Sequence, residues 1–227
     1  MKSQNHSIKT LNHKLPLTTY ENLPQKRRYK LPLTTYENLP QKILCIDIGL
    51  DNLTDFVRWT RANTNIFPMD IQAGRSMAKE NFFLQIEKPD RRMVFIKKKK
   101  IVFLIMADVE IQYQMLEAIL EVIIEEFFKS YGAIIDNFFS GMTNIFEGFK
   151  TTILRNIDVA QKERVKWIQS RCSICNTNYY ICVRKSLITN AKSFPVSLVF
   201  KHGGHGLLIY LDAKFRTRGS EFVEITG

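Results

Sequence analysis

The sequence predicts an α/β chain of the α+β type: a five-stranded antiparallel sheet with helices, followed by a small C-terminal antiparallel β module. Three apolar segments, at 82–86, 93–96 and 101–107, are separated by charged or turn-forming residues and indicate consecutive strands. A long amphipathic stretch at 110–131 follows at once and indicates a helix. Short strand-like segments return after residue 171, which predicts a second, smaller unit.

The front of the domain supplies two further strands. Ile43–Ile48 alternates and contains β-branched residues, so it is expected to be the first strand. Residues 49–52 have turn chemistry, and Phe56, Val57 and Trp59 indicate a short second strand. Residues 69–80 are expected to form a helix with few apolar positions.

The back of the domain carries the clearest strand pattern. Pro89-Asp90 and the lysine run 97–100 supply the two turns that join the third, fourth and fifth strands. Segment 101–107 is apolar throughout, so both of its faces should be covered, as in a central strand.

The helix at 110–131 has identifiable ends in the sequence. Asp108 is expected to cap its start, and Gly132 occupies the position of a left-handed C-cap. A broad apolar stripe predicts a buried face, and the glutamates are expected on the opposite, solvent side; these are Glu110, Glu117, Glu121, Glu125 and Glu126. A further helix is expected to begin near Asn144 and to continue towards Trp167 and Ile168.

This order of elements resembles the longin and roadblock superfamily. The resemblance rests on the pattern of residues 82–132 and on NIFEGFKTTIL at 144–154, and it covers roughly residues 43–157. It implies a domain that serves as a scaffold or regulator of small GTPases, or as a subunit of vesicle-trafficking complexes. Domains of this superfamily commonly pair with one another and seldom have catalytic roles, so the resemblance also implies self-association and a non-enzymatic protein.

The net charge of +11 is concentrated in a leader. Residues 1–42 contain eight Lys/Arg and two Glu, so they carry +6 of the total. This segment holds KLPLTTYENLPQK twice, at 14–26 and 30–42, and its prolines predict a disordered leader. Each copy also contains a Tyr-x-x-Leu unit, Tyr20–Leu23 and Tyr36–Leu39, which resembles a tyrosine-based sorting signal.

No apolar run approaches the roughly 20 residues that span a bilayer, and the first thirty residues are polar. We therefore expect a cytoplasmic protein, with membrane contact at most peripheral. A basic surface is expected around the hairpin turns between residues 88 and 100, where seven Lys/Arg fall within thirteen residues: Lys88, Arg91, Arg92, Lys97, Lys98, Lys99 and Lys100. Solvated turns that protect a strand edge explain it most simply, and contact with anionic lipid headgroups is the functional alternative.

The C-terminal module, residues 171–227, contains a paired cysteine and histidine motif. Cys172 and Cys175 form a Cys-x-x-Cys unit, and His202 and His205 form a His-x-x-His unit with glycines between them. Zinc prefers four such ligands in a tetrahedron, so these residues predict a structural zinc site. The alternatives are an empty thiol pair, redox chemistry, or Cys182 as a substitute ligand.

No complete catalytic motif is present, so we expect a non-enzymatic protein. The glycines include no G-x-x-x-x-G-K-[ST] loop, which excludes a P-loop GTPase. The leading hypothesis is a regulator or scaffold that binds a protein partner, such as a small GTPase. A zinc-ribbon-like nucleic-acid adaptor is the alternative. The second alternative is a hydrolase, in which His205 forms a dyad with Ser220 or Cys182 and the carboxylates Asp212 and Glu221 flank the last hairpin.

Overall fold

Strand β5 (Ile101–Asp108) lies at the centre of a five-stranded antiparallel sheet, and all of its residues except Asp108 are buried. The computed structural model describes residues 38–50, 54–62, 64, 68–136 and 143–224. The sheet has the strand order β2-β1-β5-β4-β3, and every neighbouring pair is antiparallel, which confirms the predicted fold class. The other strands are β1 (Ile43–Leu50), β2 (Asp55–Thr60), β3 (Leu84–Glu87) and β4 (Arg91–Lys98).

Helices cover both faces of this sheet. Helix α2 (Pro68–Met77) packs on one face through Ile71, beside Phe95 and Leu104. The opposite face holds the larger apolar cluster and carries α3 (Tyr113–Ile135). A 3₁₀ helix (Thr143–Thr152), α4 (Ile153–Val159) and one π-helical turn (Ala160–Arg164) complete that layer. We call residues 39–164 the platform.

The end of the predicted leader belongs to the platform. Residues Leu39–Lys42 form the short helix α1, and Leu39 is fully buried in the same apolar cluster as the buried face of α3. The first repeat, Tyr20–Leu23 and Tyr36 lie outside the described residues. Because Leu39 is buried, the second Tyr-x-x-Leu unit does not present its leucine to a partner. In the described part of the chain, no helix is both long enough and apolar enough to cross a membrane.

The ends of α3 differ from the prediction. Gln112, not Asp108, precedes the first helical residue, and Asp108 is the last residue of β5. Gly132 was predicted to end the helix, but the helix continues through it to Ile135. The prediction of solvent-facing glutamates was wrong for Glu117, which is buried.

The C-terminal module begins earlier than predicted. Strand β6 (Val165–Cys172) contains Trp167 and Ile168, which the sequence assigned to a helix, and it pairs with β7 (Thr177–Arg184). Helix α5 (Lys185–Thr189) leads to a three-stranded sheet of order β10-β9-β8. Its strands are β8 (Val196–His202), β9 (His205–Leu211) and β10 (Thr217–Val223). The module has its own core, which includes Ile181, Leu198 and Ile209.

The module docks on the platform through polar side chains at the start of α3 and through Val165 and Cys182, which are buried in the apolar cluster of the platform. The Gln112 side chain donates from Nε2 to the carbonyl of Tyr180 at 2.9 Å, and its Oε1 accepts from the amide of Cys182 at 2.9 Å. Two residues further along β7, the Arg184 amide donates to Gln114 Oε1 at 3.2 Å. These contacts satisfy the edge of β7 that faces away from β6, as a neighbouring strand would.

Arg184 adds a charged contact to the same interface. Its guanidinium lies between Glu117, at 3.2 Å, and Glu121, to which Ser186 also donates. Burial raises the pKa of Glu117, and its contacts with Arg184 and Gln85 oppose that rise. The carboxylates predicted to be solvated are therefore the attachment site of the module.

Helix α2 is locked to the sheet by a close approach and a buried ion pair. A Cβ on Gly74 would lie within 2.4 Å of three ring atoms of Phe95, so only glycine fits there. The neighbouring Arg75 is buried and contacts Asp47 of β1, and its Nη2 lies 2.7 Å from Asp55 Oδ1 of β2. A buried charge is tolerated only when it is paired in this way.

We expect Gly74→Ala to destabilise the protein by about 1–3 kcal/mol, because the new methyl group displaces the buried Phe95 ring. The matched control is Gly132→Ala, since Gly132 is also helical but has nothing within 4 Å of its Cβ position. That variant should be more stable by about 0.5–1 kcal/mol, the usual gain for alanine in a helix. Urea denaturation of both variants measures the difference, and equal midpoints would contradict the packing argument.

Candidate metal centre

The four predicted ligands lie at the tips of two β-hairpins. The β6–β7 hairpin pairs Cys172 with Thr177, so Cys175 lies in its four-residue loop. The β8–β9 hairpin pairs His202 with His205 and has Gly203-Gly204 as its two-residue loop. Both glycines have positive φ, 52° and 83°, as the favoured type I′ hairpin turn requires. The glycines between the histidines therefore allow both rings to project from one tight turn.

The two tips meet, and the four side chains converge. Cys172 Sγ lies 3.3 Å from His205 Nε2, and Cys175 Sγ lies 3.9 Å from His202 Nδ1. One ligand atom from each residue lies within 4.8 Å of all the others. Among the described residues, this is the one such Cys/His/Asp/Glu group.

The spacing of these atoms is compatible with a tetrahedral metal site. With Zn–S near 2.3 Å and Zn–N near 2.0 Å, the ligand atoms of a tetrahedron are about 3.3–3.8 Å apart. Two sulfur–nitrogen distances, 3.3 and 3.9 Å, lie close to that range, and the separations in the group extend to 4.8 Å, so a bound ion would draw the four atoms together. Both cysteines are free thiols, so neither sulfur is engaged in a disulfide.

The surroundings of Cys175 favour its thiolate. Tyr179 Oη lies 3.3 Å from Cys175 Sγ. Burial raises the pKa of this thiol, but hydrogen bonds with Tyr179, Thr177 and Cys172 outweigh it and lower the pKa to about 6. Burial and the neighbouring sulfur raise the pKa of Tyr179 to about 12, so its hydroxyl remains a donor. A thiolate is the form that binds metal.

The surroundings of His202 favour its neutral form. Burial, and then the neighbouring His205, lower the pKa of His202. Its ring lies 4.1 Å from the Tyr179 ring, centroid to centroid, which fixes its orientation. The Nε2 atom of His202 is buried and has no hydrogen-bond partner in the described part of the chain. A neutral imidazole can use a ring nitrogen as a metal ligand.

Cys182 does not belong to this group. It is fully buried in the apolar cluster of the platform, on the side of β7 that packs towards α3. Burial raises the pKa of its thiol strongly, with Glu117 adding to the effect. The hypothesis that Cys182 substitutes for a ligand is therefore wrong.

The predicted basic surface is divided between two ends of the sheet. Lys88, Arg91 and Arg92 lie at the β3–β4 turn, and the lysines at 97–100 lie at the β4–β5 turn, at the other end of β4. An eight-residue strand is roughly 24 Å long, so the turns do not combine into one patch.

Several of these basic groups also have acidic partners. Arg91 and Arg92 pair with Asp70 and Glu87 at 2.7 and 2.9 Å, and Lys99 pairs with Asp136 at 2.9 Å. The basic surface expected around the hairpin turns is therefore two separate groups of charges, because β4 separates the turns by its full length.

Of the two carboxylates considered for catalysis, Asp212 has a structural role. Asp212 closes the β9–β10 turn, where it accepts from the amides of Lys214 and Arg216 at 2.8 and 2.9 Å. Those hydrogen bonds hold the pKa of Asp212 well below its usual range. Its side chain also pairs with Arg216 and Arg218.

Tyr179 is the contributor to the site that sequence reasoning missed. It follows Cys175 by four residues and reaches back to the thiol because β7 reverses the chain beside β6, where Tyr179 faces Ser170. Only the strand register reveals this contact, and the sequence contains no separate signal for it.

We expect the alkylation rate of Cys175 in metal-free protein to rise with an apparent pKa of about 6, because the thiolate is the reactive form. Tyr179→Phe keeps the ring beside His202 but removes the hydrogen bond, so its midpoint should move to higher pH. Peptide mass spectrometry after brief iodoacetamide treatment gives both curves, with buried Cys182 as the unreactive control. Superimposable wild-type and variant curves would contradict the assigned role of Tyr179.

No protein-family model matches the sequence, and no curated protein matches it. The function must therefore be inferred from the residues and geometry of this chain.

Proposed function

We propose that Cys172, Cys175, His202 and His205 bind one structural zinc ion. The observation that supports this proposal is that two thiols and two imidazoles from separate hairpin tips lie within 4.8 Å of one another. Four protein ligands leave no open coordination position for substrate, so a structural role fits better than a catalytic one.

The zinc ion would cross-link the two hairpins of the module. The buried apolar core there is small, and domains of this size usually need a metal or disulfide to supplement it. The ligands join β6 to the β8–β9 turn, positions some 30 residues apart in the chain. Metal binding would therefore contribute directly to the stability of this half of the protein.

Purified full-length protein is expected to contain one zinc ion per chain, measured by elemental analysis. Cys172→Ser and His205→Ala should abolish stoichiometric zinc, because each removes a ligand from the tetrahedron. His13→Ala is the matched control, since it removes a histidine outside the group and should leave the zinc in place. Absence of metal from wild-type protein purified without chelator, or full zinc in Cys172→Ser, would rule the site out.

We further propose that the protein is a non-enzymatic regulator or scaffold whose platform binds a small GTPase. Three features support this: the element order matches that implied by the longin and roadblock resemblance, the sheet is covered on both faces, and α2 presents apolar side chains outward. On α2, Met69 is 80% exposed and Met77 49%, and Phe82, which follows α2 in the chain, is 61% exposed. Methionine-rich surfaces adapt readily to protein partners, and exposed apolar side chains favour association.

We expect full-length protein to capture a small GTPase from the same genome in one nucleotide state, tested in pull-downs with GDP and a GTP analogue. Met69→Asp with Met77→Asp should reduce capture at least tenfold, because both side chains lie on the exposed side of α2. Leu154→Asp is the control, since Leu154 is similarly exposed but lies on α4. Capture in neither state by folded protein would overturn this assignment.

Charge distribution favours a second candidate, a zinc-ribbon-like nucleic-acid adaptor. Residues 165–224 contain nine Lys/Arg and three Asp/Glu, which gives a net charge of +6. Residues 43–164 contain sixteen Lys/Arg and seventeen Asp/Glu, which gives a net charge of −1. The basic excess outside the leader thus lies on the module that holds the candidate metal site. Binding driven by phosphate contacts should weaken steeply between about 50 and 200 mM salt. Binding to a GTPase should change little over the same range.

A further inference from the structure

An open groove lies between the module and the platform. Its volume is about 490 Å³. One wall is the run Ser197–Lys201 of β8, and the other is formed by platform side chains that include Gln85, Tyr113 and Gln114. A cleft of this size that combines apolar and polar walls falls in the usual range for a ligand or peptide site.

Strand β8 has one unpaired edge, and that edge lies in the groove. It is the terminal strand of the sheet β10-β9-β8, and it pairs with β9 at every residue from Val196 to His202 without a register shift. Among the described residues, the β8 backbone makes no further hydrogen bond to another backbone group. The corresponding edge of β7 is different, because Gln112 and Gln114 satisfy it.

The turn geometry identifies which backbone groups point outward. In a hairpin with a two-residue loop, the flanking pair, here His202 and His205, exchanges both backbone hydrogen bonds. Alternation along the strand then directs the N–H and C=O groups of Ser197, Val199 and Lys201 away from β9. All three residues line the groove.

The β8 wall of the groove carries a positive charge, which favours an acidic ligand. Lys201 is exposed and has no ion-pair partner in the described ranges, and the module carries a net charge of +6. Arg92 on the opposite wall is already paired with Glu87. Val199, 51% exposed, offers an apolar surface beside Lys201.

We propose that the groove binds an extended acidic segment of a partner protein, which adds to the edge of β8 as a fourth strand. The ligand backbone pairs with Ser197, Val199 and Lys201, an apolar side chain contacts Val199, and a carboxylate faces Lys201. Main-chain pairing supplies affinity in this mode of recognition, and side-chain contacts supply specificity. The site is separate from the exposed face of α2, so it does not depend on the GTPase assignment. It depends on the proposed zinc site only because His202 terminates β8.

The test uses a displayed library of random twelve-residue peptides, selected on full-length wild-type protein. Enriched peptides should be acidic and rich in β-branched residues. Val199→Pro removes an outward N–H that β9 does not use, a substitution that an edge strand tolerates. It should weaken binding of the enriched peptides at least tenfold in fluorescence anisotropy. Val199→Thr keeps the N–H and should stay within twofold of wild type, whereas Lys201→Glu should also lose at least tenfold.

Several results would overturn the proposal. These are the absence of enriched peptides, equal binding to Val199→Pro, binding of oligonucleotides in place of acidic peptides, and a β8-mediated dimer that Val199→Pro dissociates. Zinc content measured on the same samples separates the two proposals. Val199→Pro should retain zinc while losing peptide, and wild-type protein without zinc that still binds the peptides would contradict only the metal site.

Discussion

The architecture depends on the polar surface near the start of α3. Gln112 pairs with the edge of β7 through both ends of its amide, and Glu117 and Glu121 hold Arg184. These contacts fix the module against the platform, and thereby create the groove beside β8 and set the direction in which the metal-site hairpins project. A side-chain amide carries the same donor and acceptor as a peptide group, so it can terminate a sheet without adding another strand.

The sequence predicted the sheet well because burial imposes simple patterns on strands. Segment 101–107 is apolar throughout and proved to be the central strand. Predictions failed where one residue type serves two environments. Glutamates at helical spacing look solvated, yet Glu117 is buried because Arg184, some 67 residues later, provides its partner. Trp167 and Ile168 continue a helical stripe, but they lie on β6, since pairing with β7 overrides that local pattern.

The candidate metal centre shows the same division between local and long-range information. The two dyads are visible as motifs, and the glycines at 203 and 204 indicate the tight turn between the histidines. The meeting of the two hairpin tips is a tertiary fact, as is the contact of Tyr179 with Cys175. The basic residues at 88–100 illustrate the converse. They are adjacent in sequence, but a strand between two turns carries them to opposite ends of a sheet.

The mixed polar and apolar contact between platform and module has a consequence for synthesis of the chain. The residues that complete the platform precede residue 165, so they leave the ribosome before β6 and β7. During that interval Gln112 and Glu117 are solvated by water, and the apolar side of α3 already covers the sheet. Because Val165 and Cys182 of the module belong to the apolar cluster of the platform, the first half leaves the apolar surface that they cover exposed until β6 and β7 emerge. That surface is prone to association during this interval, and assembly of the second half removes it from water.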